Sequence, residues 1–230
     1  MRLHNLSLCL TLAALASSTA WAADDLPAVF ARMDKAAPTF KGLRAEMKRV
    51  SHTAVINEDS TEIGTIVVKV AKAHEYKMLI TFEQPDKKLV GIAGTNAEMF
   101  LPKANEVQVC NFGKGHRAEV EQFLRLGFGS NSKELQEAYT VTYGGPETVA
   151  GEKTNRIMLV PKSSEVGNMF QKFELWISDA TGISVQQKMY EKGGNYTLAT
   201  YPKMKLEANI ADSEVKLKLP PGVKRNPICQ

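Results

Sequence analysis

Aromatic residues make up only 7% of this chain, and there are just four His and three Cys. A chain of 230 residues that is 43% hydrophobic must therefore build its core mostly from Val, Leu, Ile, Met and Ala. That is enough apolar matter for one substantial domain. Beyond residue 22 the histidines are His52, His74 and His116, which lie in separate segments, and no C-x-x-C pair occurs. No metal-ligand spacing results, and neither a metal nor a cofactor is expected. There is no G-x-S-x-G elbow. Gly127-Phe128-Gly129-Ser130 lacks the GK[ST] ending of a phosphate loop and follows a helical pattern instead of opening one. Acidic pairs such as Glu134 with Glu137 read as solvent-facing helix charges, with no sign of a desolvated partner for acid–base work. The absence of a catalytic constellation favours binding over catalysis, although a site assembled from distant loops would leave no such trace.

No later segment matches the apolar run near the start, where Arg2 precedes residues 6–16 and Ala20-Trp21-Ala22 offers a small-x-small cleavage site. The expectation is a signal peptide over 1–22, cleaved near Ala22, and a single exported domain over 23–230. Cys9 lies inside the apolar run, not behind a small residue at its end, and so reads as an ordinary signal residue. Losing 1–22 removes Arg2 and no acid, which turns 29 basic residues into 28 against 25 acidic ones. The net charge of +3 is too weak to name nucleic acid or an anionic membrane as the main partner. Cys110 and Cys229 remain, and an oxidising compartment permits a disulfide between them. Two separate thiols are the alternative.

Patterning fills in the rest. Residues 24–37 carry Leu26, Val29, Phe30 and Met33 at helical spacing behind Asp24-Asp25 and Pro27. In 76–83, YKMLITFE, apolar Tyr76, Met78, Ile80 and Phe82 alternate with Lys77, Leu79, Thr81 and Glu83, the period of a strand with one apolar face. Strands are expected near 43–56, 65–71, 75–83, 88–93, 97–101 and 107–112. Asn57-Glu58-Asp59-Ser60 reads as the first turn. Helical pieces are expected at 117–126 and 132–137, with Gly127 and Gly129 stopping the first. Strands then resume at 139–143, 154–160, 170–178, 184–191, 195–201, 206–210 and 215–219, with Gly144-Gly145-Pro146 as one of the turns. One curved antiparallel sheet with helices on one face accounts for this order, and a closed barrel or a sandwich is the alternative.

Several stretches together resemble the LolA-like outer-membrane lipoprotein carrier family over nearly all of the chain beyond residue 22. They are the helix at 25–37, Gly64-Thr-Ile-Val-Val-Lys69, Tyr76 with Met78, Gln84-Pro85-Asp86, Gly94-Thr95-Asn96, and Met99-Phe100-Leu101-Pro102. The second half adds LGFGSNSKELQEAY (126–139), VTYGG (141–145), LVPK (159–162), LWISDATGISV (175–185) and LKLPPGVK (217–224). The resemblance implies a mainly β fold with α, an incomplete, half-open antiparallel β-barrel covered by a helical lid. It also implies an apolar cavity for acylated cargo, an inner-membrane lipoprotein-releasing transporter as donor and an outer-membrane acceptor. Carriers of this kind have an arginine after the V-K of the early strand that helps hold the lid closed. Here that position is Val70, so the latch differs or is absent.

The expected cavity lining is Ile66, Val68, Val70, Tyr76, Met78, Ile80, Phe82, Met99 and Leu101, with a parity that rests on the resemblance as much as on the alternation. The expected lid is Val120, Phe123, Leu124 and Leu126, hinged at Gly127 and Gly129. For any single position, ordinary core packing is the plainer reading, so the expectation rests on the set. A periplasmic carrier of lipoproteins or another lipid, working as a monomer, is the function implied. A sensor or regulatory protein binding lipids on the same fold is the alternative.

Overall fold

The computed structural model describes residues 25–72, 75–113 and 125–229. Helix α1 (Leu26–Ala36) starts where Asp25 caps it, its carboxylate accepting from the Ala28 amide at 3.0 Å. Val29 and Met33, one turn apart, are its fully buried face. The strands are β1 (Gly42–Thr53), β2 (Glu58–Lys72), β3 (Glu75–Gln84), β4 (Lys88–Ala93), β5 (Asn96–Leu101) and β6 (Glu106–Asn111). After α2 (Ser132–Ala138) come β7 (Tyr139–Val149), β8 (Glu152–Pro161), α3 (Ser164–Met169), β9 (Phe170–Ser178), β10 (Ser184–Glu191), β11 (Tyr196–Thr200), β12 (Lys205–Leu206) and β13 (Lys224–Pro227).

All of these strands join one sheet in the order β13-β6-β5-β4-β3-β2-β1-β11-β10-β9-β8-β7, with β12 pairing β1 beside β11. Every pairing is antiparallel except that of β13 with β6. The two ends of the order, β13 and β7, do not pair with each other, so the sheet stays open. The protein is therefore mainly β with few helices, and its sheet is an unclosed one.

One face of the sheet carries most of the core, and a smaller cluster of Val149, Trp176 and Val185 lies on the other. Around β8 and β9 the first face buries Ile157, Leu159, Phe173, Leu175 and Ile177 beneath Val29 and Met33 of α1, with Leu126 and Leu135 alongside. Asp34 of α1 accepts from the Ser132 amide at 2.6 Å and the Ser132 hydroxyl at 2.7 Å, joining α1 to the start of α2. Around β1–β3 the same face buries Leu43, Ala45, Met47, Ile66, Val68, Tyr76, Met78 and Phe82 against Phe40, Phe128 and Tyr201.

Several expectations are corrected. The first turn is Ala54–Asn57, not 57–60. Asn57 takes the left-handed conformation (φ 52°) that closes it, and Glu58 already pairs with Thr53. Gly144-Gly145-Pro146 is not a turn. It lies inside β7 at a register shift between Tyr143 and Gly145, and the proline is tolerated because β7 is an edge strand. Helix α3 replaces a stretch read as connection, with Ser163 capping the Val166 amide. The expected strand over 206–210 shrinks to the two-residue β12, and 215–219 is no strand at all. The segment over 207–217 instead straps the opposite, outer face. Val215 is buried, Arg44 bonds Glu207 and Glu214, Asp212 pairs with Lys69 at 2.9 Å, and Leu217 lies against Gly91, where a β-carbon would meet it at 2.9 Å. The chain then adds β13, which sequence patterning missed. Cys229 beyond it is disulfide-bonded to Cys110 at the end of β6, with 4.8 Å between Cα atoms. The helix expected over 117–126 lies outside the described residues except for its last two.

Candidate functional site

Register decides which residues share a face. Ile66 pairs with Ile80, Val68 with Met78, Val70 with Tyr76 and Gly64 with Phe82. Ile80 pairs in turn with Val90, and Val90 with Met99, two residues before Leu101. Directly paired residues point to the same side of a sheet. All nine expected lining residues therefore stand on the inner face. Val90 and Ile92 of β4 belong with them. The alternation of Leu89, Val90, Gly91 and Ile92 could not reveal this alone, because both parities of β4 are apolar.

Burial divides this face. Ile66, Val68, Tyr76, Met78 and Phe82 are at most 4% exposed, packed within the protein. Val70, Ile80, Val90, Ile92, Met99 and Leu101 remain half-buried and form a continuous apolar wall over β2–β5. Beneath α1 the inner face is filled; at Ile80 and over β4 and β5 its apolar residues keep part of their surface exposed.

At the closed end of the wall, residues 125–130 are fastened to the sheet. The Tyr76 hydroxyl donates to the Phe128 carbonyl at 2.9 Å, and Gln187 Nε2 donates to the Leu126 carbonyl at 2.7 Å. The Ser184 amide donates to the Gly127 carbonyl at 2.9 Å. Phe128 sits edge-on to Tyr201 with ring centroids 5.0 Å apart. Gly127 and Gly129 have φ of 78° and 84°, and a β-carbon on Gly129 would lie 2.8 Å from Phe40. Only glycine combines that backbone with so close an approach. Leu126 is buried, whereas Val120, Phe123 and Leu124 lie outside the described residues.

Electrostatics reinforce the attachment. Burial raises the Tyr76 pKa, only partly offset by Arg125 nearby. The hydroxyl therefore stays a donor. Burial is the largest influence on Arg125 and disfavours its charge, but the bond and charge of Glu134 together with Tyr76 outweigh it and lift the pKa. Sequence reasoning missed this arrangement of Tyr76, Arg125, Glu134 and Gln187, because its members lie far apart in the chain. Val70 pairs directly with Tyr76, whose hydroxyl reaches the 125–130 segment.

A cleft of about 580 Å³ opens elsewhere, near the end of α1, where Arg32, Lys35 and Lys41 border Phe40, Ile183 and Leu206. None of the nine lining residues borders it.

The chain matches no protein-family model and no curated protein sequence. Among solved structures it is similar to an uncharacterized conserved protein of Thermus thermophilus. That match has 11% identity and a TM-score of 0.52, and covers 87% of this chain and 97% of that one. It is similar to MucB at 13% identity and a TM-score of 0.50, covering 83% of this chain but only 62% of MucB. MucB has also been solved in the Pseudomonas aeruginosa MucA/MucB complex. A LolA superfamily protein from Nitrosomonas europaea matches at 12% identity and a TM-score of 0.41, over 85% of this chain and 99% of that one. What is shared at such identities is the fold alone.

Proposed function

We propose that this chain, once residues 1–22 are removed, is a periplasmic lipid-binding protein. It takes acyl chains on the inner face of β2–β5 and carries lipoproteins, or another lipid, from the inner to the outer membrane. The observation that supports this reading is the half-exposed aliphatic wall of Val70, Ile80, Val90, Ile92, Met99 and Leu101 on an open sheet. Covering such a wall with an acyl chain contributes about 0.8 kcal/mol per methylene, so ten methylenes give about 8 kcal/mol before the cost of immobilising the guest. Met99 suits an imprecise ligand because its thioether chain adapts. In this reading Val120, Phe123 and Leu124 form a lid over the wall, and the fastened turn at Leu126, Gly127 and Gly129 is the point from which it moves. An inner-membrane lipoprotein-releasing transporter would load the protein and an outer-membrane acceptor would unload it.

A regulatory protein that binds a protein partner is the second reading, favoured by the likeness to MucB, a protein solved in complex with MucA. Native mass spectrometry of the protein purified from its own periplasm separates the two. Co-purifying acylated species support the carrier, and a co-purifying polypeptide without acyl chains supports the second reading. The wall itself is tested with Ile80→Glu, which puts a charge in its middle at a half-buried position. Acylated cargo should disappear while circular dichroism stays unchanged. Cargo retained at the wild-type level would rule the wall out.

A further inference from the structure

The apolar wall ends in charge. Arg49 of β1 pairs with Glu62 of β2, and Lys88 of β4 pairs with Phe82 of β3. These four residues stand on the inner face, on the same side as Ile80 and Val90. Arg49 Nε donates to Glu62 Oε2 at 2.7 Å, a second guanidinium nitrogen reaches the same oxygen, and Lys88 binds the other oxygen, Oε1. Both cations also lie over the Phe82 ring, with the Arg49 Cζ 4.6 Å and the Lys88 Nζ 5.0 Å from its centroid. Phe82 itself is fully buried. The side chains of Arg49, Lys88 and Glu62 are 30%, 19% and 15% exposed, so all three are largely withdrawn from water.

Two cations here share one carboxylate. Among the described residues, no other carboxylate reaches either of them, and Glu106, on the same face two strands from Lys88, bonds Asn226 instead. Burial disfavours the Glu62 charge, but its bonds to Lys88 and Arg49 more than offset this, and its pKa is lowered. The carboxylate is therefore spent on one positive charge, and one is left uncompensated. Withdrawing a charge from water is costly unless it is paired. Lys88 has three N–H donors and Arg49 has five, and Glu62 uses only some of them. The opposite end of the wall, at Tyr76 and Phe128, is closed, and the Arg125 charge beside it is matched by Glu134. From Tyr76 to Phe82 the strand runs for about 20 Å at about 3.4 Å per residue.

Resting on the lipid-binding reading above, we propose that this end is a headgroup site. The preferred guest is an anionic amphiphile whose acyl chain lies along the wall toward Tyr76 and whose carboxylate or phosphate meets Arg49 and Lys88. The charge selects among lipids; the wall binds all of them.

The test uses the full mature protein, stripped of lipid, with binding measured by calorimetry. Palmitate is compared with hexadecanol, which has the same chain and no charge, and dipalmitoyl phosphatidate with dipalmitoyl phosphatidylcholine. The expected result is about tenfold or tighter binding of the anion in at least one pair, the scale of one charge-assisted hydrogen bond. Preference in the first pair names a fatty carboxylate as the guest, and preference in the second a phospholipid phosphate. Lys88→Gln should erase the preference and leave hexadecanol binding unchanged, as should Arg49→Gln. Equal affinity within both pairs for the wild-type protein overturns the headgroup site and leaves the wall standing, whether or not the variants fold. If none of the four amphiphiles binds, both the headgroup site and the lipid-binding reading fall.

Discussion

Replacing Tyr76 by Phe removes one oxygen and leaves the ring in place. Tyr76 is 4% exposed, and its hydroxyl donates at 2.9 Å to the carbonyl of Phe128, which is 3% exposed. In Tyr76→Phe that carbonyl keeps its burial and loses this donor. The cost of an orphaned buried acceptor is about 1–3 kcal/mol, more than the net worth of an average hydrogen bond. The phenol is un-ionised at neutral pH, since burial raises its pKa, so only a neutral bond is lost. The remaining ties at Leu126 and Gly127 stay intact, so the loss should concentrate in residues 125–130. At 1.4 kcal/mol per factor of ten, local opening should become about 5- to 150-fold more frequent. Amide hydrogen exchange of residues 127–130, compared with that of β8 and β9, reads this directly, and the urea midpoint at unchanged slope gives the global share. Exchange at 127–130 and a urea midpoint both indistinguishable from wild type would refute the claim that Tyr76 fastens this turn to the sheet.

Two further outcomes follow from other parts of the fold. The Cys110–Cys229 bridge spans 119 residues of sequence and pins an otherwise exposed edge strand. Reducing it, or substituting Cys110→Ser, should lower stability by about 2–4 kcal/mol in urea unfolding; a midpoint insensitive to reductant would mean that the bridge only tethers the tail. Tyr139 is 3% exposed, and burial pushes its pKa up to about 12. A raised phenol pKa means that the folded state holds its proton longer than the unfolded one. The stability it contributes is therefore complete below about pH 10, the ordinary phenol value, and lost as pH rises toward 12. Tyr139→Phe should flatten that alkaline decline in a series of urea midpoints, and an unchanged decline would assign it to other groups.

Elements whose alternation was strong could be read from the chain alone. Residues 88–93, 170–178 and 184–191 are strands with the bounds expected of them, and α1 lies within its expected range, because an alternation, a cap or, for 88–93, flanking turn residues mark each in a few neighbouring residues. The nine lining residues were placed on one side of their strands by the family resemblance as much as by alternation, because residues 66–68 are apolar at both parities. What local pattern could not supply was cover. Residues 215–219 alternate Val, Lys, Leu, Lys and Leu as a strand does, yet they form part of a strap on the outer face, because Gly91 leaves room there for Leu217. Gly144-Gly145-Pro146 reads as a turn, yet an edge strand absorbs it.

Whether an apolar residue on the inner face is core or open wall is decided by what packs over it from elsewhere in the chain. Met78 and Ile80 are two residues apart on one face of one strand, yet only Met78 is fully buried. Arg49, Glu62 and Lys88 likewise meet only when β1, β2 and β4 are set in register around β3. Spacing along the chain was enough to specify most of the strands and the first helix. Which part of the inner face is filled, and where charge closes it, emerges only on folding, because burial and ion pairing depend on neighbours that sequence distance does not specify.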